Sequence, residues 1–380
     1  MSTNASLAPK RWSQELEGLR GLASLWVVLG HICILTDVHF PILSDPSMGV
    51  TLFILLSGYL MAKNYMERKD VEPWTATNTF KKFWLRRFFR IAPLYYVLLI
   101  FAICFGGYFG EARDTIASFY PATHTNSSRY SDGSMMNIFT HVSFIFGFLP
   151  YYSFNTVLPD WSIGLEMQFY ALFPFIMLGV MKWGFARTCI ATTLLCVILK
   201  VIFTSYFLSF TMPSLILIKL NVFIAGMLIA AGVKNKSILY IAASLLVTIA
   251  SLYLYAGVNK VRYAAEVGMV IMMAILLWTR EENSVITKTL KFPRWILTNR
   301  ISVFLGDVSY SAYLLHLLIV LPVISTLLVQ TGFHYESSLL RFIFASIIII
   351  PLTYAVSLLL YVFIEKRGIK LGKMIVSKIK

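Results

Sequence analysis

Charge is scarce in this sequence: only 13% of its 380 residues are charged, against 58% hydrophobic. A soluble domain carries about 25% charged and about 45–50% apolar residues, so a soluble fold is excluded and a polytopic membrane protein is implied. Acid is scarcer still, with 18 Asp and Glu against 33 Lys and Arg, a net charge of +15. The four cysteines, Cys33, Cys104, Cys189 and Cys196, lie in apolar runs without metal spacing, which argues against a metal site and a disulfide framework. No small-x-small cleavage pattern follows the first apolar run, and further runs come after it, so it is expected to be an uncleaved signal-anchor. Internal repeats, low-complexity linkers and soluble-like stretches are missing as well. Residues 1–380 therefore read as a single membrane-embedded domain.

What is present is a series of apolar runs near the roughly 20 residues a membrane helix needs. They fall at 18–37, 48–64, 91–110, 161–182, 188–208, 213–232, 237–256, 263–279, 303–328 and 341–363. The expected fold class is all-α, with about ten transmembrane helices around a polar cavity and both termini cytoplasmic. Charge placement tests the orientation independently. In this topology 26 of the 33 Lys and Arg fall on inside segments and five outside, with Lys200 and Lys219 inside spans. The positive charge is thus topology plus attraction to anionic lipid, and a nucleic-acid partner is not implied. The longest outside segment, Glu111 to Asp160, contains an apolar patch at Ile138–Pro150 too short to span, which is expected to be interfacial or re-entrant.

The stretch Glu15–Leu35 carries the first candidate chemistry. Arg20 and His31 are eleven residues apart, about three turns plus roughly 20°, so they share a helix face about 16 Å apart along the axis. Ionisable groups inside a membrane are functional-site candidates by default. Position along the spans puts His31, Glu166 and His316 at a similar depth in the outer half of the bilayer, which suggests one polar cavity. Taken singly, each can equally be a helix-to-helix hydrogen bond. The second constellation is basic, Lys81–Val97, where Arg87 and Arg90 are i,i+3 neighbours and Arg86 and Arg90 i,i+4 neighbours. Juxtamembrane basic clusters commonly serve topology and lipid contact; the sharper reading is a phosphate site, for which Arg forks suit pyrophosphate. Gly18, Gly21 and the small residues of Gly49–Met61 indicate close helix packing. Lys219 and Lys200 either face the cavity or snorkel to the interface.

These residues resemble the integral-membrane acyltransferase type 3 family, which transfers acetyl or other acyl groups to surface carbohydrates and some small molecules. The resemblance covers nearly the whole chain and rests on six segments in the family's order. They are LEGLRGLA followed by His31, GVTLFILLSGYLM, RRFFRIAPLYY, WSIGLEMQFYALFP (Trp161–Pro174), FLGDVSYSAYLLH (Phe304–His316) and FIEKRG (Phe363–Gly368). It implies that His31 is the catalytic histidine and that Arg20 belongs to the same motif. By the same resemblance Arg87 and Arg90, with Arg86 beside them, match the arginines that meet the acyl-CoA phosphates. Glu166 and His316 match the acidic residue and histidine of their segments, and Tyr313, Trp161 and Lys219 are the candidate acceptor contacts. Glu17 stands where the family often has Asp. Some members carry a fused extracytoplasmic hydrolase-like domain, which this chain is expected to work without.

Together these imply an enzyme of the plasma membrane, bacterial inner membrane by resemblance, using acyl-CoA as donor, most simply acetyl-CoA, and no metal. CoA phosphates would dock at the inner arginines and the pantetheine arm would run along the Arg20–His31 face. A neutral His31 would take the proton of a hydroxyl on a surface polysaccharide or glycolipid, with an acyl-histidine relay as the other route. The rivals are a hydrophobic small-molecule acceptor and, from another class, a proton-coupled transporter.

Overall fold

The computed structural model describes residues 11–253, 260–278 and 285–379, and every regular element within them is helical. Nine helices among the described residues are long and apolar enough to cross a membrane. They are α1 (Arg11–Leu35), α2 (Pro46–Arg68), α3 (Thr77–Cys104), α5 (Trp161–Trp183), α6 (Phe185–Ile202), α7 (Ile216–Asn235), α9 (Lys260–Trp278), α10 (Ser309–Gln330) and α11 (Ser338–Leu360). Between them lie α4 (Gly106–Phe119) and a shorter apolar helix, α8 (Ile238–Tyr253), which occupies the predicted 237–256 run. The predicted ends at 254–256 and at 279 lie outside the described residues. The chain is an all-α polytopic membrane protein.

The boundaries follow local chemistry. Asp45 caps α2 by accepting from the Ser47 amide at 3.0 Å, with Pro46 at the first helical position. Gly184, at φ +82°, separates α5 from α6, a conformation that suits residues without a Cβ. α3 differs from expectation: it starts at Thr77 rather than near 91, so the basic cluster lies on the helix itself, and it stops at Cys104 where Gly106 and Gly107 follow. α11 continues through a π-helical turn, Tyr361–Glu365, into α12 (Lys366–Ser377). The apolar patch does not form a span. An eight-residue helix, Met135–Val142, leads to Phe144 at φ +60° and a 3₁₀ turn, Ile145–Phe148.

Lys219 and Asn221 aside, α7 is apolar through to its last turn and almost wholly buried, as a core helix should be. It packs most extensively on α2. A Cβ at Gly58 would run into the Phe223 carbonyl oxygen, and one at Gly226 into that of Leu55, so the two glycines let the backbones meet. α1 lies against α2, α10 and the 291–307 segment.

Candidate active site

α1 and α10 bring His31 and His316 together. His316 Nε2 lies 3.1 Å from His31 Nδ1, with ring centroids 4.7 Å apart. Backbone carbonyls fix the tautomers, because a carbonyl oxygen only accepts. His316 Nδ1 is 2.5 Å from the Tyr313 carbonyl oxygen, so it carries the hydrogen and a neutral ring keeps its lone pair on Nε2. His31 Nδ1 is 2.9 Å from the Val27 carbonyl oxygen, so it too carries a hydrogen, shared with His316 Nε2. The lone pair of His31 is left on Nε2, which has no hydrogen-bond partner among the described residues. His316 is fully buried, whereas His31 is half-buried.

A cleft of about 590 Å³, counting its open mouth, has neither histidine in its lining and meets the pair through Tyr313, whose ring centroid is 6.1 Å from that of His316. Its polar lining is Arg20, Ser57, Ser162, Glu166, Tyr310 and Tyr313, contributed by α1, α2, α5 and α10. Tyr313 joins cleft and histidines: its hydroxyl donates to the Pro159 carbonyl at 2.5 Å and meets the Ser162 hydroxyl at 2.7 Å, while its carbonyl holds His316. Asp160, buried one residue on, is itself fixed by Thr156 at 2.8 Å and Tyr95 at 3.3 Å, and burial pushes its carboxyl up. Glu166 accepts from Ser57 at 3.0 Å and from Tyr170, one helical turn along α5. It bonds to neither histidine, so the depth match of the three residues resolves into a histidine pair and a separate cleft carboxylate. Arg20 is paired with Glu17 at 3.0 Å.

The arginines of α3 do not form one three-pronged cradle. Arg86 grips Glu72 through two bonds of 2.8 and 2.6 Å and holds that carboxyl down to about 2. Arg90 lies 3.6 Å from the buried Glu365, which also accepts from Ser311 at 2.8 Å. Arg87 stands over the rings of Phe83 and Tyr170, and among the described residues it has neither a hydrogen bond nor a carboxylate within ion-pair distance. Through Tyr170 it adjoins Glu166 and the cleft.

Lys219 does not line the cleft; it is buried in a 2.8 Å ion pair with Glu266, between α7 and α9. Trp161 opens α5 buried beside Ser162, also outside the cleft lining. Sequence reasoning missed Tyr170, Tyr310, Ser57 and Glu365 as site residues. Tyr170 at Glu166+4 and Tyr310 at Tyr313−3 were legible as same-face neighbours. Ser57 reads as a packing residue, and nothing local marks Glu365 as the partner of Arg90.

A family model described as an acyltransferase domain matches residues 13–362. The peptidoglycan O-acetyltransferase OatA of Listeria monocytogenes is 27% identical over 46% of this chain and 25% of its own length. A protein named as an acetyltransferase, ORF330 of Acidianus two-tailed virus, is 27% identical over 87% of this chain and 92% of its own. BcsY of Komagataeibacter xylinus, named as a membrane-bound transacylase, is 30% identical over 43% of this chain and 37% of its own. The match thus spans about a quarter of OatA and a little over a third of BcsY. No solved structure matches the chain.

Proposed function

This chain belongs to the acyltransferase-domain family, and we propose that it transfers an acetyl group from cytoplasmic acetyl-CoA to a hydroxyl of an extracytoplasmic polysaccharide or lipid-linked sugar. Membership makes it an acyltransferase and leaves the transporter reading without support. Relatives named for acetyl transfer, one of them for peptidoglycan, support the acyl group and the glycan. The excess of Lys and Arg on one set of connecting segments supports the sidedness.

The observation that carries the reading is the Nε2 lone pair of His31, unpartnered among the described residues and set by two backbone carbonyls and His316. The acceptor oxygen attacks the thioester carbonyl carbon while His31 Nε2 takes its proton. As His31 becomes an imidazolium, its Nδ1–H is held by His316 Nε2 and the Val27 carbonyl, which stabilises the charge where it forms. The tetrahedral intermediate collapses, the C–S bond breaks, and the imidazolium returns its proton to the departing CoA sulfur. Nothing is oxidised or reduced. The cleft running past Arg20, Glu166 and Tyr313 is the path of the pantetheine arm, and Glu166 accepts from its amide N–H groups.

Sealed vesicles with the basic face outward test the sidedness. Acetyl-CoA added outside is expected to acetylate glycan enclosed within; acetylation only when donor and glycan share a compartment sinks the reading. Arg87, the one of the three α3 arginines without an acidic partner among the described residues, is assigned the CoA phosphates. Arg87→Gln is expected to raise KM for acetyl-CoA about 10- to 100-fold, the scale of a lost charged hydrogen bond. With S-acetylpantetheine, which has no phosphate, the variant and the parent should match. An unchanged KM for acetyl-CoA shows that the phosphates bind elsewhere.

A further inference from the structure

The end of α3 and the 105–160 segment line a second pocket of about 490 Å³, counting its open mouth. It is polar where the cleft is mostly apolar. Asp132, Asn137, Asn155 and Arg129 line it, with the Tyr130 ring at its wall. These groups are already organised: Asn155 Nδ2 donates to Asp132 Oδ2 at 2.9 Å, and Asn137 Nδ2 donates to the carbonyls of Asp132 at 2.7 Å and Asn155 at 3.1 Å. Asn137 is 1% exposed, and with both amide bonds spent on carbonyls its Oδ1 is left as a buried acceptor with no partner among the described residues. An orphaned buried acceptor is costly unless a ligand supplies the donor. Arg129, 6% exposed, is aligned by the Thr156 carbonyl at 2.9 Å. The pocket adjoins the helix that carries His316, because α4, which bears Gly107, packs on α10.

Two glycines, Gly107 and Gly133, also line this pocket, and a Cβ at either would meet nothing within 4 Å. Both are exposed, and neither is needed for close packing, so a larger side chain is tolerated at either position.

We propose that this pocket is a carbohydrate subsite, in which hydroxyls of a non-reacting residue of the acceptor glycan donate to Asn137 Oδ1 and Asp132 while the neighbouring residue presents its hydroxyl to His31. This rests on the glycan acceptor proposed above. A neutral, hydroxyl-rich ligand fits a pocket in which Asp132 and Arg129 offset each other in charge, and it fits better than an apolar one, because Asn137 would stay unpaired.

Filling the pocket tests it. Gly107→Trp and Gly133→Trp, each with its Ala counterpart, are expressed full-length in a bacterial host lacking glycan O-acetyl groups. Base-labile acetate on the envelope glycan is measured, along with acetyl-CoA binding by the purified proteins. Both Trp variants are expected to lose about tenfold or more of the acetate, with acetyl-CoA binding unchanged and the Ala variants near the parent. Parental acetate in both Trp variants overturns the subsite, as does loss of acetyl-CoA binding alongside the acetate, because the pocket is then not separable from the donor side. If the parent itself adds no acetate, the glycan acceptor falls and the subsite with it; if the parent does and the Trp variants match it, only the subsite falls.

Discussion

His31→Ala lowers acetyl transfer by about 10²–10⁴-fold, the usual worth of a positioned general base, while protein yield in the membrane fraction stays at the parental level. The expectation follows from where the ring sits. It is half-buried, and its Nδ1 is spent on the Val27 carbonyl and His316, so removing it leaves a small space and orphans no charge. What disappears is the single imidazole nitrogen of the pair that has a lone pair and no partner among the described residues. His316→Ala should cost less, since the Val27 carbonyl alone still holds His31 in its tautomer. Rates of labelled acetate transfer by the two variants check the order. A His31→Ala protein working at the parental rate, or a His316→Ala protein slower than it, removes His31 as the base.

Much of this arrangement was legible in the sequence, and for identifiable reasons. Hydrophobic length located the membrane helices, because a bilayer leaves few alternatives to a helix of about 20 residues. Depth suggested only that His31, Glu166 and His316 share one polar cavity; the direct contact of His31 with His316 came from the structure. Depth fails for Glu166, whose side of α5 is decided by packing: it turns to Ser57 and Tyr170 rather than to the histidines. The start of α3 was missed because Arg86, Arg87 and Arg90 lower hydropathy without lowering helix propensity. Which arginine remains free was beyond reach, because their partners, Glu72 and Glu365, stand before the helix and at the far end of the chain. The role of Lys219 was undecidable for the same reason. Its counter-charge lies two helices later in the chain, across a packed interface.

That ion pair carries the other large effect. Lys219 and Glu266 are 8% and 5% exposed, and their 2.8 Å contact ties α7, the central helix, to α9. Breaking a buried pair by removing one partner costs about 3–5 kcal/mol, because a charge is left buried without compensation, whereas replacing both with apolar groups of similar size is often neutral. Lys219→Met should therefore sharply reduce the thermal stability of the detergent-solubilised protein, and Lys219→Met with Glu266→Met should recover most of it. Activity separates this role from the alternative. If Lys219 only braces α7 against α9, the double variant transfers acetate at close to the parental rate once its stability is restored. If Lys219 contacts the acceptor, the double variant stays folded but slow, with a raised acceptor KM. The pair lies outside the cleft lining, so the expected result is a stable and active double variant. A stable but inactive one would return Lys219 to the substrate path.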